Sequence, residues 1–156
     1  MGLKIETIHS KSTRVAVLIE LILIDEYVLC VRTRDARRNV KGKDITPLRK
    51  LLGSQCKFLD GAIIDIIRRA RALGQDAPIT YAGSMKSTRL KRRSGKPGGQ
   101  NEIIEALLED HESIIRSLSC ESSDASEEKD DTDTADFTAA LARQHLEMAG
   151  ALREWL

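Results

Sequence analysis

Between Val15 and Val31 the chain is almost continuously apolar, yet Glu20, Asp25 and Glu26 fall inside the run. Charges near the centre of a lipid-spanning helix are costly, so the segment predicts a buried helix of a soluble protein, not a membrane span. Its apolar positions cover more than one helical face. That pattern predicts burial both within a bundle and against neighbouring subunits. Such a helix needs partners, and the remainder of the sequence supplies them.

After an irregular arm over residues 1–12, the first helix is expected from about Thr13 to Asn39, with Gly42 ending it. Thr46-Pro47 reads as a second start, a capping residue followed by proline in the first turn. Leu48, Leu51, Leu52, Gln55, Leu59, Ala62, Ile63, Ile66, Ala70 and Leu73 then recur at helical spacing until Gly74 closes the element. Residues 75–99 break the pattern with Pro78, Gly83, Gly95, Pro97, Gly98 and Gly99, leaving room for a short helix around Tyr81 to Arg92. A third long helix carries Ile103, Ile104, Leu107, Leu108, His111, Ile114, Ile115 and Leu118. The acidic, serine-rich stretch Glu121 to Asp131 reads as a solvated loop. Thr132 to Asp136 caps a fourth helix whose face is Phe137, Leu141, Met148, Leu152 and Trp155. Four long helices with a long crossover between the second and third predict one all-α domain over residues 13–156, a four-helix bundle of ferritin-like arrangement.

An aromatic content of 3% beside 31% charged residues suits such a helical domain. The formal net charge of +1 argues neither for nor against a nucleic-acid partner, so local charge has to decide. Cys30, Cys56 and Cys120 form no C-x-x-C pair and are expected as buried thiols in a reducing cytoplasm. The first residues carry no apolar run with a cleavage site, so no signal peptide is expected.

Several short segments, in order, resemble one family. Arg34-Asp35-Ala36-Arg37-Arg38-Asn39-Val40-Lys41-Gly42 is similar to a helix exit usually read N-x-H-W-N-V-K-G. Arg71-Ala72-Leu73-Gly74, Ala106-Leu107-Leu108-Glu109-Asp110-His111-Glu112, Thr134-Ala135-Asp136 and His145-Leu146-Glu147-Met148-Ala149 match further along. Together they resemble the Dps miniferritins, the DNA-protecting proteins of starved cells, from about residue 20 to 156. The resemblance implies a dodecameric homo-oligomeric cage for iron storage and stress protection, with ferric iron as cargo and DNA as a partner.

It also implies a ferroxidase site between two subunits, made of histidines and carboxylates. Iron asks for neutral imidazole and anionic oxygen donors. Carried onto this chain, the first histidine falls on Arg37, the second on Arg49 and the carboxylate four residues later on Gly53. The partner-subunit carboxylate pair falls on Ile64 and Arg68. Arginine is always protonated and offers no lone pair, so no conventional metal site is expected there. Arg38 and Gly150 stand where the family often carries tryptophan. The arginines would instead pair with Asp35, Asp60 and Asp65, or hold an anion. A relocated iron-oxidising site, on acidic residues of the pore or inner surface, is the enzyme alternative.

Lys86, Arg89, Lys91, Arg92, Arg93 and Lys96 form a run without an acidic residue, either a solvated loop or a sequence-independent footprint for phosphate backbones. Asp131, Asp133 and Asp136 fall where the resemblance puts the negative lining of a cation-entry pore, and they also suit helix capping. His111 and His145 read as core or interface hydrogen-bonders, and His9 as exposed. No cofactor beyond iron cargo is implied.

Overall fold

No glycine or proline stands between Gly2 and Gly42, so nothing in the backbone interrupts the first helix. In the computed structural model α1 accordingly runs Gly2–Asn39, and the arm expected to be irregular is helical from Gly2 onward. The structure describes the backbone of residues 2–76, 81–96, 98–127 and 132–156, and the side chains of residues 14–76, 82–96, 98–120 and 132–156. Gly42 turns the chain at φ +130°, a conformation that a side chain would strain.

Helix α2, Ile45–Ala72, begins earlier than expected. Asp44, in a left-handed conformation, takes the capping position, and its side chain makes no cap hydrogen bond. Thr46 lies inside the helix and is not its cap. Pro47 sits in the first turn, where its missing N–H costs no helical bond. Gly74, at φ +80°, follows the last turn as expected. The crossover contains α3, Tyr81–Ser87, shorter than the reach to Arg92 allowed for it.

Helix α4, Gln100–Glu127, continues through seven residues of the stretch read as a loop. Between Gln100 and Glu127 there is no glycine or proline, so nothing in the backbone ends the helix at the acidic stretch. Helix α5, Thr132–Arg153, completes the bundle. Helix α1 packs on α2 and α4, α4 on α5, and α3 on α1. The chain is all-α among the described residues.

The core follows the periodic positions. Ile19, Ile22 and Leu29 of α1, Leu48, Leu52, Leu59 and Ile66 of α2, Ile104 and Leu118 of α4 and Leu152 of α5 are all buried. Each such side chain contributes about 1.5–3 kcal/mol by leaving water. Cys30 and Cys56 are buried, but Cys120 is exposed, past the last buried leucine of α4. Among the described residues no helix is long and apolar enough to cross a membrane. Of the three acids in the apolar run, Glu20 is exposed, while Asp25 and Glu26 are buried.

Candidate functional site

Three of the five positions expected to have lost metal ligands meet in one place. Arg37 leaves the end of α1 and faces Arg49 and Gly53 on the first turns of α2, around a cavity of about 640 Å³. Arg34, Arg38, Cys56, Lys57 and Asp60 complete its lining. Gly53 makes the room, since a Cβ there would lie 3.3 Å from Arg37 Cζ. Ile64 and Arg68, expected to reach such a site from the partner subunit, lie apart from this group within one chain. They lie at least 11 residues along α2 from Gly53, about 17 Å or more at 1.5 Å per residue. Both are exposed, and Arg68 pairs with Asp65 at 3.5 Å.

Five cations and one carboxylate line the cavity, and the carboxylate is taken. Asp60 accepts from Arg34 and, at 3.4 Å, from the Cys30 thiol. Arg38 donates to Asp35 at 3.0 Å, outside the cavity lining. Arg37, Arg49 and Lys57 form no ion pair among the described residues. Burial pushes the Cys30 thiol up to about 12, and burial likewise raises Cys56 even though Arg34 and Arg37 pull the other way. Both thiols stay protonated near neutral pH and add no negative charge. Five cations against one paired carboxylate give the cavity lining a net positive charge.

The basic segment divides in two. Arg89 donates to Asp25 through its backbone N–H (2.9 Å) and its Nε (2.7 Å), and Thr88 Oγ1 donates to the same carboxylate at 2.7 Å. Arg93 donates to Asp110 (2.7 Å), Glu109 (2.8 Å) and the carbonyl of Ala106 (2.9 Å). Arg32 of α1 also donates to Asp110 and to the carbonyl of Lys91, both at 2.9 Å. Lys91 itself pairs with Glu109 at 3.2 Å. Arg89, Lys91 and Arg93 therefore clamp the crossover onto α1 and α4. Lys86, Arg92 and Lys96 are exposed and form no ion pair among the described residues.

A polar chain that sequence reading missed runs through the core. His145 Nε2 donates to Glu26 Oε1 at 2.6 Å, and one imidazole donates to the other between His145 Nδ1 and His111 Nδ1 at 2.9 Å. All three side chains are fully buried. Glu26 Oε2, His111 Nε2 and Gln55 Oε1 are buried without a protein partner. The histidines are core hydrogen-bonders, as expected. An acid within an apolar run was the available signal for Glu26, since a buried carboxylate requires a donor. Among the described residues no group of three or more His, Cys, Asp or Glu can hold a metal ion. Asp133 and Asp136 are exposed in the first turns of α5, whereas Asp131 and the side chain of His9 lie outside the described residues.

Comparison with known proteins agrees with this architecture. The family model described as a ferritin-like domain matches residues 18–156. An uncharacterized low temperature-induced protein of Nostoc sp. (strain PCC 7120) is 30% identical over 134 residues, covering 86% of this chain and 75% of the relative. A Dps protein from Bacillus brevis superposes with a TM-score of 0.85 at 23% identity, over 94% of this chain and 97% of the other. Dps from Thermosynechococcus elongatus gives 0.84 at 20% identity, over 92% and 90%.

Proposed function

Because this chain belongs to the ferritin-like domain family and has the fold of Dps miniferritins, we propose that it is the subunit of a cytoplasmic dodecameric cage that sequesters iron without a conventional interface ferroxidase centre. One observation carries the reading: the cavity at the α1–α2 turn is cationic, with Arg37 and Arg49 on its walls and Gly53 where a carboxylate would be needed. Ferrous iron needs imidazole or carboxylate donors and is repelled by guanidinium groups. Iron is then cargo admitted to the cage, not a substrate oxidised between subunits. Asp131, Asp133 and Asp136 are the residues proposed to attract the cation inward, and Asp133 and Asp136 place negative charge on the first turns of α5. Lys86, Arg92 and Lys96 supply a sequence-independent contact to DNA phosphates, repeated on every subunit of the cage.

The test is ferrous oxidation followed by oxygen uptake. The assembled protein should oxidise ferrous iron no faster than buffer alone, and Arg37→Ala with Arg49→Ala should leave that rate unchanged. Oxidation well above the protein-free rate, abolished by those substitutions, is the result that contradicts the proposal.

A further inference from the structure

We infer that the cavity between the end of α1 and the start of α2 binds a small phosphate-bearing anion through Arg37, Arg49 and Lys57; this rests on the reading that the cavity does not take iron. Among the described residues, three cations share this space with no carboxylate left to offset them. Asp60 is occupied by Arg34, Asp35 is occupied by Arg38, and the buried Cys56 stays a neutral thiol. Like charges gathered in one concavity repel one another, so the arrangement is stabilised by an anion from solution.

The choice of anion follows from shape and charge. Guanidinium presents a planar fork of donors that matches the oxygens of phosphate two at a time, and a lysine ammonium adds a point charge. A monovalent halide would offset one of the three cations, whereas phosphate or pyrophosphate offsets two or more with the same occupancy. A volume of about 640 Å³ falls within the range of small-molecule sites, roughly 300–1,000 Å³, and exceeds what a bare halide fills. Gly53 also holds the Arg37 guanidinium close to the α2 backbone, because no side chain there displaces it.

Thermal melts and calorimetric titrations of the assembled protein with inorganic phosphate and with pyrophosphate test this, against sodium chloride at equal ionic strength. Both phosphates should raise Tm saturably where chloride does not, with pyrophosphate binding more tightly. Arg49→Gln and Lys57→Gln, at exposed positions, should each weaken binding at least tenfold. Arg71→Gln, an exposed cation near the far end of α2, should leave it unchanged. Equal shifts with phosphate and chloride, or equal losses from Arg71→Gln and Arg49→Gln, overturn the inference. An added arm asks whether a short single-stranded oligonucleotide displaces phosphate; displacement would reassign the site to a nucleic-acid backbone and sink the small-molecule assignment. Ferrous oxidation measured on the same samples separates the two ideas. An iron-inert protein that ignores phosphate loses only this inference, and one that oxidises iron in the cavity loses the reading beneath it.

Discussion

His111 is fully buried and, among the described residues, has one polar side-chain partner, the ring of His145. Burial first, and the charge of His145 second, push its pKa down to about 3. The folded protein thus holds His111 neutral at pH values where the unfolded chain, with an ordinary histidine pKa near 6.5, binds a proton. Above pH ~6.5 neither state is protonated and the effect vanishes. As pH falls from there toward about 3, the unfolded state gains protons that the folded state refuses, and stability declines. The slope from this one group is at most ~1.4 kcal/mol per pH unit. Denaturant titrations between pH 7 and pH 4 should show the decline in the native protein and a shallower one in His111→Gln; parallel curves would refute the assignment. The two histidines were legible as helical-face residues of the core. Their partner Glu26 was not, because 119 residues separate it from His145 and helical periodicity carries no information at that range.

At the level of elements, ion pairs to Asp25, Glu109 and Asp110 fasten the crossover beside the buried side chain of Leu90. Asp25 is buried on α1, so losing the Arg89 side chain leaves its charge, among the described residues, with only the Thr88 hydroxyl and one backbone N–H. Orphaning a buried ion costs ~3–5 kcal/mol, and the two remaining donors reduce this to about 2–3 kcal/mol for Arg89→Ala. Arg92→Ala, three residues on and exposed, should change stability by less than ~0.5 kcal/mol. Urea midpoints of the two variants check this, and equal shifts would show that the pairing with Asp25 carries no stability. Helix existence was readable throughout, since Leu48, Leu52, Leu59 and Ile66 all fall on the buried face that their spacing predicts. The ends were less readable. At Glu121–Glu127 and in the first residues of α1, local polarity was a weaker determinant than the absence of any helix-breaking residue.

For the whole molecule, a formal charge of +1 gives no general attraction to polyanions, so DNA binding has to come from local cations. Six basic residues looked equivalent in sequence, but three of them are committed to Asp25, Glu109 and Asp110. Sequence lists charges without their partners, which is why the run read as a larger footprint than the fold leaves available. Combining Lys86→Ala, Arg92→Ala and Lys96→Ala should weaken DNA binding by more than tenfold at low salt and flatten its salt dependence. Gel shifts across a salt series measure both, and an unchanged slope would remove this segment from the interface. The cationic cavity was partly legible: the family resemblance marked Arg37, Arg49 and Gly53, while Lys57 emerged only from the fold. The clamp has one more consequence, for how copies of this chain can exchange parts. Residues 88–93 fasten Asp25 of α1 and Asp110 of α4 at once, and they lie in the segment that would have to swing open for an α4–α5 hairpin to be traded between subunits. Domain swapping through this crossover would have to break two ion pairs whose carboxylates are buried before any new contact formed, so the fold carries its own barrier against entangled assemblies.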